Sequence, residues 1–208
     1  QVVLEEPAAN HGDFRVLVPL ANPGHVDQLI ELAAAVASKK QGEIVALRVV
    51  EISEQTPASH ESVFLEEEKQ ILERARSRAL QYQVPITSLI RVGRNVAQAM
   101  LETSREQNCD LIMLGWKGYT STVGKILGSV VDDIVNNART DVMLIKLIGN
   151  ESLQKFLLPT AGGAHAQRAE KYIASFIEFL GGSLTVRSVE SSNATTDVIN
   201  KVSERLSL

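Results

Sequence analysis

The sequence predicts an α/β domain on a doubly wound parallel sheet, and three observations carry that prediction. Short, nearly continuous apolar runs recur at residues 14–20, 43–50, 86–92, 111–114 and 142–147. Stretches with helical apolar spacing separate them. The fourth run ends in a glycine pattern, Gly115-x2-Gly118-x9-Gly128-Ser129, ahead of a further helical stretch. Strands alternating with helices argue for parallel pairing, and runs without a polar face argue for a sheet covered on both sides. Right-handed crossovers then place helices on both faces.

Residues 1–13 are polar, with Pro7, Asn10 and Gly12, and read as a lead-in or linker. The first strand follows, and Pro19 marks where the chain leaves the ladder. Residues 21–24 form a turn. Val26, Leu29, Ile30, Ala33, Val36 and Ala37 then keep helical spacing up to Gly42. After the second strand and a polar loop at 51–60, a long amphipathic helix is expected from about Glu61 to Tyr82. Its acidic residues come early (Glu66, Glu67, Glu68) and its basic ones late (Arg74, Arg76, Arg78), which complements the helix dipole. Gly93 ends the third strand. Asn95 is placed to cap a helix through about Gln107, with Val96, Ala99, Met100 and Thr103 inward.

The junction after the fourth strand suits a phosphate. Glycine lets the backbone approach a ligand and adopt positive φ. The free N–H groups of a helix start attract anions. Ser129 is the expected N-cap, with Asp132 completing a pair like a capping box. Val130, Val131, Ile134, Val135 and Ala138 supply the apolar face of that helix. In doubly wound sheets ligands sit beyond the carboxyl ends of the strands, near the reversal of strand order. Residues 19–23, 50–53 and 115–129 fall at that end.

The pattern of the opening strand, helix and strand returns. Residues 14–51 align with 155–190, Pro19 on Pro159 and His25 on His165. Arg48 and Glu51 align with Arg187 and Glu190 after a one-residue gap, and residues 194–206 match the start of the long helix. The expected organisation is a lead-in at 1–13, a full domain at 14–148 and a shortened second copy at 155–208. The copy leaves no room for a glycine pattern of its own. Its aromatic helix, with Tyr172, Ile173, Phe176 and Phe179, needs a partner surface.

Composition bounds the function. Of the 208 residues, 44% are hydrophobic and 22% charged, as in ordinary globular proteins. A net charge of −4 gives no footprint for nucleic acid. No apolar run reaches the roughly 20 residues of a membrane span, and no signal peptide pattern is present. The single cysteine, Cys109, fits a reducing compartment. His11, His25, His60 and His165 show no metal-ligand spacing. No Walker-type lysine motif or general base stands out, so no catalytic residue is assigned.

The complete glycine pattern after an apolar strand resembles the nucleotide-binding signature of the universal stress protein family. The resemblance covers residues 14–148, with the partial copy from 155. It implies a five-stranded, doubly wound parallel sheet of order 3-2-1-4-5. It also implies an adenine nucleotide such as ATP as ligand, with Mg2+ as an accompanying ion. The phosphates would lie on Gly115, Gly118, Gly128, Ser129 and the Val130 amide, with Lys117 in reach of their oxygens. Pro19, Leu114, Val49 and Val50 end the strands that frame the nucleoside. Family members that bind nucleotide carry an aspartate where this chain has Ala21; Asn22 stands one residue later. The implied role is a regulatory module rather than an enzyme. As family knowledge, such domains occur as cytoplasmic tails of membrane transporters and channels. The alternatives are a free-standing dimeric stress protein and an assembly module without ligand. Residues 142–147 form the sheet edge in the family order, and a homodimer is expected there.

Overall fold

The computed structural model describes residues 1–51, 61–118, 127–149, 153–160 and 163–188. The chain divides into two compact units, Gln1–Asn150 and Glu151–Leu208.

Among the described residues, the first unit holds six strands: β1 (Val2–Glu6), β2 (Arg15–Pro19), β3 (Glu43–Glu51), β4 (Ile86–Gly93), β5 (Leu111–Gly115) and β6 (Asp141–Ile145). Four helices connect them: α1 (Val26–Lys39), α2 (Glu61–Gln81), α3 (Val96–Glu106) and α4 (Ser129–Asn137). The sheet order is β1-β4-β3-β2-β5-β6. Five of these strands are parallel neighbours in the expected 3-2-1-4-5 order.

Strands β2 to β5 are largely apolar without alternation, and they are covered on both faces. Val16, Val18, Ile44, Val45, Ile90 and Ile112 are fully buried. Side chains alternate across a strand. Leu17, Val45, Leu47, Leu89, Ile112 and Leu114 join Met100, Leu101 and Ile134 in one core, beneath α3 and α4. Helices α1 and α2 pack together and rest on β2, β3 and β4. Right-handed crossovers on either side of the β2–β5 reversal assign the two helix pairs to opposite faces.

Residues 1–13 are not a linker. Strand β1 pairs antiparallel with β4, from Val2–Arg91 to Glu6–Ser88, and makes the sheet mixed. Its alternating half-buried and exposed residues suit an edge. Beyond it the Ala8 amide donates to Thr87 Oγ1 at 3.0 Å, and Arg76 on α2 pairs with Glu6 at 2.6 Å. His11 and Arg15 both reach the buried Glu43 carboxylate, at 3.1 and 2.6 Å. A five-residue strand ending in two glutamates and followed by Pro7 carries too little apolar pattern to read alone.

The second unit contains β7 (Lys155–Thr160), α5 (Gly163–Leu180) and β8 (Ser183–Ser188), with β7 and β8 parallel. Phe156 and Phe176 stack with centroids 6.4 Å apart, and Leu158, Tyr172 and Phe176 are buried. The unit repeats two hydrogen bonds of the β2-α1-β3 segment at corresponding positions. Gly42 N–H donates to the Ala37 carbonyl at 2.8 Å, and Gly182 N–H to Ile177 at 3.2 Å. Glu43 N–H donates to Phe14, and Ser183 N–H to Gln154, both at 2.9 Å or less. Pro19 pairs with Leu47 as Pro159 pairs with Arg187. The correspondence therefore runs without the gap that the alignment introduced, and Arg187 stands at the position of Leu47, not of Arg48. Residues 194–206, matched to the long helix by sequence, lie outside the described residues.

Candidate functional site

The carboxyl ends of β2 and β5 part company. Their pairing consists of Val16–Leu111 and Leu17–Ile112, close to the start of both strands. Strand β2 stays paired with β3 through Pro19–Leu47, and β5 with β6 through Gly115–Ile145. Strand order reverses between β2 and β5, so the crevice lies where a doubly wound sheet binds its ligand.

One wall is the glycine segment. Gly115 ends β5, is exposed, and has no unusual φ. A Cβ added there would meet only the Leu29 side chain, at 3.4 Å. Gly118 has φ +119°, which side-chain-bearing residues rarely adopt. Its surroundings are open, and an added Cβ would lie 3.6 Å from Lys146 Nζ. Residues 119–126 lie outside the described residues. The chain returns at Leu127 and turns into α4 at Gly128, φ +104°.

Gly128, not Ser129, is the N-cap of α4, and no side chain caps it. Its positive φ turns the chain into the helix one residue earlier than the capping-box reading places it. Ser129 becomes the first helical residue and is exposed. Val130 follows in the first turn, half-buried against the core below. Asp132 does reach back, accepting the Leu127 N–H at 3.3 Å. Val135 is also exposed, so the apolar face of α4 is narrower than its sequence suggests.

The other wall is the end of β2 and β3. Pro19 is buried and Ala21 is exposed. The Asn22 Oδ1 accepts the Gly24 N–H at 2.9 Å and so nucleates a short 3-10 turn, Pro23–His25. Its amide nitrogen stands 3.5 Å from His25 Nδ1. Val49 and Val50 are both half-buried but alternate in direction, and Val49 packs into the core beneath α3 and α4. Leu114 is a member of that same core. Lys117 is exposed.

Three residues of this region escaped sequence reasoning. The Trp116 N–H donates to the Ile145 carbonyl at 2.7 Å, and its indole N–H to the Leu127 carbonyl at 3.0 Å. Trp116 thereby ties the end of β5 to the start of α4 across the glycine segment. Lys146, just past β6, brings an ammonium beside Gly118. Arg48 donates to the Leu20 carbonyl and pairs with Glu68, which holds the end of β2 against β3 and α2. The signal for Trp116 was its place inside the glycine pattern; the other two depend on which strands are neighbours.

The universal stress protein family model matches residues 14–146. The chain belongs to that family. A universal stress protein from Archaeoglobus fulgidus DSM 4304 matches 93% of this chain and 72% of its own, at 18% identity and a TM-score of 0.64. The universal stress protein from Archaeoglobus fulgidus in complex with dAMP matches over 64% of this chain and 98% of its own, at 16% identity and a TM-score of 0.52. At such identities these likenesses concern the fold. The Na(+)/H(+) antiporter NhaS5 of Synechocystis is 29% identical over 160 residues, 76% of this chain. This universal stress protein chain spans 23% of the antiporter's length. No helix among the described residues is long and apolar enough to cross a membrane.

Proposed function

We propose that this universal stress protein domain binds an adenine nucleotide and regulates a larger transport protein from its cytoplasmic side. The parting of β2 and β5 opposite two positive-φ glycines carries the reading. It leaves a crevice at the reversal point, with a backbone able to approach phosphates and a helix start to receive their charge. Gly115, Gly118, Gly128, Ser129 and the Val130 amide face that role, with Lys117 and Lys146 as cations. The dAMP complex of a structural neighbour supports the ligand class, and the antiporter relative supports the setting. The residues present fit the phosphates better than the nucleoside, because Ala21 offers no acceptor and Asn22 is occupied by its own turn. Calorimetry with ATP, ADP and AMP tests the reading. Saturable heat is expected, and its absence at millimolar nucleotide defeats it.

The second unit is a partial copy of the first domain, on the strength of its matching hydrogen bonds and its coverage in a longer relative. Strand β6 ends the sheet and is half-buried throughout, an edge suited to a second copy of this chain. Nucleotide occupancy would act by favouring one docked state over another. Light scattering with and without nucleotide reads this out. A monomer under both conditions rules out the dimer.

A further inference from the structure

Just past the end of β6 stands an ammonium group that the fold does not use to hold itself together. The Trp116 N–H donates to the Ile145 carbonyl at 2.7 Å, so the β5–β6 pairing runs one residue beyond Gly115. That bond carries the glycine segment alongside the next residue of the other strand, Lys146. A Cβ added at Gly118 would lie 3.6 Å from Lys146 Nζ and 3.8 Å from its Cε. The ammonium therefore stands over a residue that has no side chain and a φ of +119°. Lys146 is exposed and makes no ion pair or hydrogen bond among the described residues. Arg48, also at the carboxyl end of the sheet, is by contrast engaged by Glu68 and the Leu20 carbonyl. Asp132, the carboxylate in the first turn of α4, accepts the Leu127 N–H.

We propose that Lys146 senses the length of the phosphate chain, so that the crevice takes a nucleoside di- or triphosphate in preference to a monophosphate. The inference rests on the nucleotide reading above and deepens it. Topology sets the direction. In the order β3-β2-β5-β6 the nucleoside end of the crevice, at Ala21 and Val50, belongs to β2 and β3, whereas Lys146 follows β6. Neighbouring strands lie about 4.8 Å apart, so roughly 10 Å separates β2 from β6. A single phosphate bound where β2 and β5 part stays short of Lys146. Each further phosphate carries negative charge across the end of β5 and nearer to it. A lysine ammonium offers three donors and a compact charge, which suits the oxygens of a terminal phosphate. Gly118 leaves the space beside that ammonium unfilled, so ammonium and phosphate can meet over the bare backbone.

The test is calorimetry of the 208-residue chain with ATP, ADP and AMP, in the presence of a chelator so that no divalent ion substitutes for the lysine. The unaltered chain should bind ATP and ADP more tightly than AMP. Lys146→Met should lower ATP affinity about threefold to tenfold, the loss expected for an exposed charge-assisted hydrogen bond, and leave AMP affinity within about twofold. Lys146→Arg keeps the charge and should keep the preference. Lys40→Met, which removes the same charge at the far end of α1, should alter neither affinity. Added salt should shrink the ATP-to-AMP ratio of the unaltered chain and not that of Lys146→Met. Equal affinity for ATP and AMP in the unaltered chain overturns the proposal and leaves the nucleotide reading standing. So does a ratio that Lys146→Met does not change. No saturable heat with any of the three removes the nucleotide reading itself, and this inference falls with it.

Discussion

The indole N–H of Trp116 donates to the carbonyl of Leu127 at 3.0 Å, closing the glycine segment at its base. The bond joins the end of β5 to the residue before the α4 cap. It fixes Gly118 and Gly128, the described glycines on either side, relative to each other, which lowers the cost of ordering them around a ligand. Trp116→Phe keeps most of the ring and removes the donor. Nucleotide affinity should fall about threefold to tenfold, the worth of one hydrogen bond near 1 kcal/mol. Calorimetry with ATP measures the loss. Unchanged affinity would mean that the backbone bond to Ile145 holds the segment alone.

Gly115 and Gly118 should respond differently to substitution. Gly118→Ala places a side chain at φ +119° and should cost about 1–3 kcal/mol. That corresponds to a midpoint lowered by roughly 2–4 °C per kcal/mol in a chain of this size. Gly115→Ala meets only a flexible Leu29 methyl and should leave the midpoint within about 1 °C. Thermal unfolding of both variants provides the comparison. Gly115→Val should then lose nucleotide by filling the approach to the phosphates, with the thermal midpoint showing whether the fold is kept.

Ala21 is exposed at the end of β2, beside an Asn22 already engaged with Gly24. Ala21→Asp supplies a free acceptor at the nucleoside end of the crevice. Affinity for AMP or ATP should rise by up to about tenfold. Competition calorimetry against the unaltered chain measures it. No change would place the ribose away from residue 21.

Burial pushes the Cys109 thiol up to about 12. Labelling by a thiol reagent at pH 8 should therefore be slow in the folded chain and fast in denaturant. The sign of the pH effect follows from a folded value above the ordinary 9.0. The neutral thiol's contribution is full below pH 9 and is lost as pH rises toward 12. The stability advantage over Cys109→Asp should shrink across that window. Urea titrations at pH 8 and pH 10.5 check it, and a constant difference would contradict the burial argument.

The parallel strands, their helices and the glycine turn were legible in the residues alone. Each is a local signal: continuous apolar runs, 3.6-residue spacing, and glycines where φ turns positive at 118 and 128. The βαβ unit at residues 155–188 was legible for the same reason, because it has the same short apolar runs around a helical spacing. Tertiary structure decided what depends on neighbours. Strand β1 exists because β4 offers it an open edge, and its own five residues would not hold a strand in water. Lys146 stands beside Gly118 because β6 pairs with β5. Gly128 displaced Ser129 as the helix cap because backbone φ, which no side-chain preference specifies for glycine, selected the turn. Periodicity and turn chemistry act over a few residues, whereas sheet edges and crevices arise from pairings many residues apart.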